Sequence, residues 1–269
     1  MKYKLIGLDL DGTTLNANSE LTQETIDTLH AVQKLGHKVA IVTGRPYRSS
    51  KEIYNQLNLG GPIVNFNGAL CHIPSKPEWD GRYHITLDTD LVLDLVAFNK
   101  TLPVDYLMVE GTELMYSNIT ELPDCPYYPK DQKPLLIHPT TKLKEKPTAV
   151  ALFSDLELQS EIKKKILHRY NNGIEVRTWG GSYPCLEVIT SGIHKAKAVE
   201  HLSRYYDIHQ KDILAFGDED NDMEMIQYAG HGVAMQNGIN ELKNVANAIT
   251  PFTNDQNGLA KYLQDYFKL

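Results

Sequence analysis

Cysteine is scarce in this chain of 269 residues: Cys71, Cys125 and Cys185 are odd in number, far apart and without a CxxC pair. A disulfide framework and a thiolate zinc site are therefore not expected, and a reducing cytoplasm is the predicted setting. Long hydrophobic runs are also missing. The apolar stretch after Met1-Lys2-Tyr3-Lys4 is interrupted by Asp9 and Asp11, too early for a signal-peptide core. No stretch reaches the ~20 apolar residues that a membrane helix needs. There is no polybasic segment, and Lys+Arg 27 against Asp+Glu 34 leaves a formal net charge of −7. That balance argues against a chain-wide attraction to nucleic acid or to an anionic membrane, so any bound anion must be held locally. The ten histidines contain no HExxH spacing, and His72, His194 and His231 are expected on the surface or in loops. Internal repeats and low-complexity segments are absent.

What remains is the composition of a globular protein, 42% hydrophobic and 23% charged, at a length that accommodates two domains. Lys4–Leu10 is a short apolar run that predicts a buried strand ending in the turn Asp11-Gly12. Thr22–Leu35 carries Ile26, Leu29, Val32 and Leu35 at helical spacing, with Thr22 as N-cap and Gly36 as the stop. Lys38–Val42 and Pro62–Phe66 predict further strands, with a helix through Ile53 and Leu57 between them. This strand–helix–strand alternation implies a parallel sheet. It resumes with a helix through Ala198 and Leu202, the strand Asp212–Phe216, a helix through Met225 and Ile226, short strands at Gly232–Met235 and Ala246–Ile249, and a closing helix at Leu259–Phe267. The two ends of the chain are thus expected in one doubly wound α/β core, residues 1–83 and 190–269.

The middle, residues 84–189, predicts an inserted α/β domain: a helix over Leu91–Phe98, a hairpin around Glu110-Gly111, the strand Ala149–Phe153, the helix Leu158–Tyr170, and strands Ile174–Thr178 and Leu186–Ile189. Leu122–Pro147 holds six of the thirteen prolines and is expected to be largely loop. Trp79, Trp179 and Tyr183 are either core aromatics, the default, or lining of a substrate entrance.

Four motifs fall where open parallel sheets bind ligands, at the carboxyl ends of strands or at helix starts. Asp9-Leu10-Asp11-Gly12-Thr13 places two carboxylates one residue apart at the end of a buried strand. Such a pair calls for a divalent cation, a shared proton, or both. Val42-Thr43-Gly44-Arg45-Pro46 ends a strand in a hydroxyl and a glycine before a helix, a phosphate-cradling arrangement. Lys195 stands near a helix start as a compact positive charge. Gly217-Asp218-Glu219-Asp220-Asn221-Asp222 is an acidic cluster directly after a buried strand. A solvated turn is the alternative for any one motif alone, and Asp220 is best read as an ordinary acid at a helix N-terminus.

In order and spacing these four motifs resemble those of the haloacid dehalogenase superfamily. Asn65–Ala69, Val233–Met235 and Asn254–Gly258 are further similar to its Cof-type branch, subfamily IIB, which carries a large α/β cap between the second and third motifs. The sequence departs from that branch at Ala196 and at Gln236-Asn237-Gly238. The resemblance implies a Rossmann-like core with an inserted α/β cap, and Mg²⁺-dependent hydrolysis of small phosphorylated metabolites, sugar phosphates foremost, through an aspartyl-phosphate. It assigns Asp9 as nucleophile and Asp11 as general acid and base. Mg²⁺ falls to Asp9, Asp218 and the backbone carbonyl of Asp11, with Glu219 or Asp222 as direct or outer partners. Thr43, Lys195, Asn221 and the N–H groups of Leu10 and Gly44 would hold the phosphoryl oxygens. Two alternatives stand beside this reading: a mutase or phosphotransferase using the same chemistry, and a non-enzymatic phospho-aspartate switch.

Overall fold

The computed structural model describes residues 4–123, 133–170, 172–179 and 183–269. In chain order the main elements begin with β1 (Leu5–Leu8), α1 (Gln23–Lys34), β2 (Lys38–Val42), α2 (Tyr47–Leu57), β3 (Ile63–Asn65), β4 (Leu70–His72) and β5 (Tyr83–His84). They continue with α3 (Thr89–Phe98), β6 (Tyr106–Glu110), β7 (Met115–Ser117), β8 (Leu135–Leu136), β9 (Ala149–Phe153), α4 (Gln159–Arg169), β10 (Ile174–Trp179) and β11 (Cys185–Thr190). The chain closes with α5 (Lys195–Tyr205), β12 (Ile213–Gly217), α6 (Met223–Tyr228), β13 (His231–Ala234), α7 (Asn240–Val245), β14 (Ala248–Ile249) and α8 (Gly258–Phe267). It divides into two compact units, one of Met1–Arg45, Ser50–His84 and His194–Leu269, the other of Pro46–Ser49 and Ile85–Ile193.

The first unit is built on an eight-stranded sheet in the order β14-β13-β12-β1-β2-β3-β4-β5. The first six of these strands pair in parallel, and β4 and β5 add antiparallel at one edge. Both faces of the central strands are covered, which is why β1 and β12 are continuous apolar runs with no polar alternation. At α1 the Thr22 hydroxyl accepts the Thr25 N–H at 3.2 Å, and Gly36, with φ of 92°, lies just beyond the last turn.

Two sequence-level expectations change here. The strand expected over Lys4–Leu10 stops at Leu8, because Leu10–Thr14 winds into a tight turn around Gly12, whose φ is +67°. The strand expected through Phe66 stops at Asn65. Phe66, Asn67 and Gly68 take φ of 52°, 54° and 113°, and this left-handed run turns the chain back into the antiparallel β4. That turn also removes His72 from the surface expected for it. It lies on β4 at 8% exposure, with Nε2 at 3.2 Å from Asn65 Oδ1. His231 is likewise a strand residue, its Nε2 at 2.8 Å from the Tyr262 hydroxyl.

The second unit is a six-stranded sheet in the order β10-β11-β9-β6-β7-β8. One face packs Leu107, Val109, Val150 and Leu152 against Val92 and Leu95 of α3 and Ile162 and Ile166 of α4. The other carries Tyr106 stacked on Phe153 at 4.3 Å, with Met108 and Met115 beside them. The hairpin expected around Glu110-Gly111 is β6–β7, with Glu110 opposite Met115. Within the proline-rich stretch, expected to be largely loop, Leu135–Leu136 forms a short strand that pairs in parallel with β7. Residues 124–132 of that stretch, including Cys125, lie outside the described residues. Among the described residues no helix is long and apolar enough to cross a membrane.

Candidate active site

The site grows from the middle of the first sheet, where the chain runs outward in both directions from β1. Strands β2 and β3 lie on one side and β12, β13 and β14 on the other, and the crevice at such a switch point is where open α/β sheets bind ligands. Leu8 of β1 is in register with Phe216 of β12. The next residues onward supply Asp9 from one strand and, past Gly217, Asp218 from the other.

Asp9, Asp218 and Asp222 are 5%, 7% and 0% exposed, and a carboxylate oxygen from each lies within 4.8 Å of the others. Lys195, the first residue of α5, is fully buried among them. Its Nζ donates to Asp9 Oδ1 at 2.6 Å and to Asp222 Oδ1 at 2.7 Å. The other oxygen of Asp222 accepts the backbone N–H groups of Asp218 at 3.0 Å and Glu219 at 3.2 Å, so Asp222 ties the ammonium to the loop after β12. Thr13 donates its hydroxyl to Asp218 Oδ1 at 2.9 Å.

Gly12 is required on two counts. Its φ of +67° disfavours any side chain, and a Cβ there would stand 2.1 Å from Asp218 Oδ2. Gly217 has the same relation to Asp222, with a Cβ falling 2.4 Å from its Cγ. The glycines beside the aspartates in both motifs are what let the carboxylates approach.

The charges do not balance. One ammonium, Lys195, stands among three buried carboxyl groups, those of Asp9, Asp218 and Asp222. Burial pushes the Asp9 carboxyl well above the usual carboxylate range against the pull of Lys195, with Asp222 and Asp218 adding to the rise. Burial, together with Asp222, pushes Asp218 up to about 7. Burial alone would lower Lys195, yet the Asp222 and Asp9 carboxylates outweigh it and hold the ammonium above its ordinary range. A pocket of hard oxygen donors with excess negative charge fits a small divalent cation.

The remaining sequence-derived residues fall around this centre. Asp11 is exposed, and its carboxylate is gripped by Arg45, whose Nε donates to Oδ2 at 2.7 Å and whose second nitrogen donates to Oδ1. The Thr43 hydroxyl accepts the Arg45 N–H at 3.1 Å. Gly44 faces Asn67 and Asn221, which are joined by a hydrogen bond from Asn221 Nδ2 to Asn67 Oδ1 at 2.9 Å. Leu10 opens the tight turn and its carbonyl accepts the Leu15 N–H at 2.8 Å. Glu219 is exposed, and its carboxylate caps the short helix Asp220–Asp222 from outside the buried cluster.

Four residues gain a structural role that spacing alone did not reveal: Thr13 on Asp218, Arg45 on Asp11, Asn67 on Asn221, and Asn237, whose Nδ2 donates to the Gly12 carbonyl at 2.8 Å. Thr13, Arg45 and Asn67 sit inside motifs visible in the sequence. Asn237 sits in the segment that departs from the Cof-type pattern, and only the fold brings it to Gly12.

Comparison with known proteins places the chain in a family. The family model of haloacid dehalogenase-like hydrolases matches residues 6–263. A curated relative from Bacillus subtilis, 5-amino-6-(5-phospho-D-ribitylamino)uracil phosphatase YitU, is 37% identical over 269 residues, covering 100% of this chain and 99% of its own. HMP-PP phosphatase from Serratia proteamaculans is 25% identical over 99% of this chain and 96% of its own. Among solved structures, a haloacid dehalogenase-like hydrolase from Bacteroides thetaiotaomicron superposes with a TM-score of 0.82 at 24% identity, covering 99% of this chain and 100% of that one. A subclass IIB sugar phosphatase superposes with a TM-score of 0.78 at 21% identity, over 99% of this chain and 100% of that one. The chain belongs to the haloacid dehalogenase-like hydrolases, with a Rossmann-like α/β core and an inserted α/β domain. Within them it falls in the Cof-type branch, and it is a phosphoric monoester hydrolase.

Proposed function

We propose that this chain hydrolyses small phosphorylated metabolites with the help of Mg²⁺ and by way of a phosphoryl group carried on Asp9. The observation that carries this reading is the Asp9 carboxylate: buried, hydrogen-bonded by Lys195 at 2.6 Å, and close to a second buried carboxylate, Asp218. Asp9 would attack phosphorus in line, an instance of carboxylate covalent catalysis. Asp11 would protonate the leaving oxygen and then take a proton from the attacking water. Lys195, the Thr43 hydroxyl, Asn221 and the N–H groups of Leu10 and Gly44 would receive the phosphoryl oxygens as charge builds on them.

Asp9, Asp218 and the backbone carbonyl of Asp11 would hold the Mg²⁺. Asp222 would act from outside the coordination sphere, since its two oxygens already serve Lys195 and two backbone N–H groups. The exposed Glu219 would contribute only to the field around the site. When bound, the cation supplies charge neutralisation, which a phosphate dianion entering beside Asp9 and Asp218 requires.

Residues 1–83 and 190–269 would form the catalytic core, and residues 84–189 would select the organic part of the substrate. The relative named for a phospho-D-ribitylamino uracil points to phosphate esters of polyol or sugar chains, in line with the sugar phosphates that the family resemblance implies. A cytoplasmic location suits such substrates. The test is phosphate release from a panel of phosphorylated metabolites, including that compound, with and without Mg²⁺. Release from a polyol or sugar phosphate that needs Mg²⁺, but no activating sugar bisphosphate, supports the reading and rejects a mutase. Release that is undiminished in excess chelator rejects it.

A further inference from the structure

A cavity of about 500 Å³ opens in the first unit, at the end of the sheet opposite the aspartate cluster. Its volume falls within the roughly 300–1,000 Å³ of small-molecule sites. Lys38, where it begins, is the first residue of β2, the strand whose far end leads into Thr43. Tyr205 and Tyr206, on another wall, end the helix α5 that begins with Lys195. At ~1.5 Å rise per residue, the ten steps from Lys195 to Tyr205 span about 15 Å, so the cavity is separate from the phosphoryl site.

The chemistry of the wall is specific. Trp79, Tyr205 and Tyr206 form a continuous aromatic corner. Trp79 meets Tyr205 edge-on at 5.0 Å and 77°, and Tyr205 meets Tyr206 at 5.1 Å and 82°. The Lys38 ammonium stands 5.5 Å from the centre of the Tyr206 ring. Lys76 is the second cation on the wall, and among the described residues no Asp or Glu lines the cavity although the chain carries a net charge of −7. The Gly60-Gly61 turn forms part of the rim. A Cβ at Gly61 would lie 2.6 Å from the Val39 carbonyl, whereas one at Gly60 would meet nothing within 4 Å, so the rim is bare backbone open to solvent. Asp80 accepts the Tyr205 hydroxyl at 2.8 Å and fixes that ring from outside the lining.

We infer that this cavity binds a flat aromatic or heteroaromatic molecule carrying an anionic group. The ring would lie against Trp79 and Tyr205, and the anion would sit between Lys38 and Lys76. Aromatic surface accounts for the preference for a planar partner, and the two lysines among the lining residues account for the preferred charge. None of these residues belongs to the hydrolytic machinery, so the inference stands apart from the proposed phosphatase activity.

The test uses the full chain and naphthalene-2-sulfonate, which has no phosphate ester to hydrolyse, in titration calorimetry at low salt. One site per chain is expected, with affinity at least about tenfold above that for 2-naphthol, which lacks the full charge, and for hexanesulfonate, which lacks the ring. Tyr205→Ala and Lys76→Glu should each weaken binding about tenfold or more while phosphate release is unchanged. The two variants fail independently: one removes a half-exposed ring, the other reverses an exposed charge. Absence of a saturable heat, equal binding of all three probes, or full binding in both variants would overturn the inference. Competitive displacement of the probe by inorganic phosphate in the presence of Mg²⁺ would also overturn it, by moving the anion to the Asp9 site.

Discussion

Lys195 and Asp222 form a fully buried ion pair, Nζ to Oδ1 at 2.7 Å, in which both side chains are 0% exposed. The same ammonium also reaches Asp9, so the pair holds Lys195 Nζ in a fixed position beside the proposed nucleophile. Lys195→Arg should lower kcat/KM by about tenfold or more, because a planar fork needs room and partners that a packed point-charge site lacks. Lys195→Met should cost roughly 3 kcal/mol of stability by leaving Asp222 and Asp9 uncompensated. Steady-state kinetics and denaturant titration check these outcomes, and wild-type kinetics in the Arg variant would show that any nearby cation suffices.

Asp9→Asn is nearly isosteric but removes the attacking anion and weakens the hold on Lys195. Turnover should fall by several orders of magnitude while the circular dichroism spectrum stays that of the parent. Retention of more than a few per cent of activity would place the nucleophile elsewhere.

Asp11 is the exposed carboxylate of the pair and is held by Arg45. With an alkyl phosphate, Asp11→Asn should slow formation of the phosphoenzyme strongly. With p-nitrophenyl phosphate, whose leaving group needs little protonation, it should slow that step much less and give a burst of nitrophenol followed by slow turnover. Equal losses with both leaving groups would remove Asp11 from proton transfer.

Gly12→Ala should act on the metal site and on stability together. The left-handed φ costs about 1 kcal/mol or more for an L side chain, and the new methyl displaces the Asp218 carboxylate. A fall in kcat/KM beyond about tenfold with a lowered thermal midpoint is expected. Unchanged Mg²⁺ affinity would contradict the close approach of Gly12 and Asp218.

Mg²⁺ binding should depend on pH with a definite sign. In the metal-free protein burial and the neighbouring Asp222 push the Asp218 carboxyl from its ordinary 3.8 up to about 7, so below that pH the cation must displace a proton. Affinity should weaken by up to about tenfold per pH unit below 7 and level off above it. The same shift makes the Asp218 contribution to metal-free stability full below pH 3.8 and lost as pH rises to about 7. Calorimetry at pH 6, 7 and 8 tests the affinity, and a flat profile would detach Asp218 from the cation.

Burial pushes the Cys71 thiol up to about 12, which leaves it protonated and inert.

The sequence alone determined the parts of this protein that depend on local pattern. Apolar runs such as Leu5–Leu8 and Ile213–Gly217 specify buried parallel strands, and Thr22 and Gly36 bound a helix through their own backbone chemistry. The motifs at Asp9, Thr43, Lys195 and Asp218 are legible because each follows such a run or starts a helix. Tertiary structure decided what depends on residues distant in the chain. It brought Lys195 to Asp9 across 186 positions and Asn221 to Asn67 across 154, and it assigned Asp222 to anchoring the ammonium. It also reversed the chain after β3 through left-handed Phe66 and Asn67, a conformation that residue type does not announce and that surrounding packing must impose. The aromatic corner of Trp79, Tyr205 and Tyr206 belongs to the same category, because a cavity wall exists only once helix end and sheet edge have met.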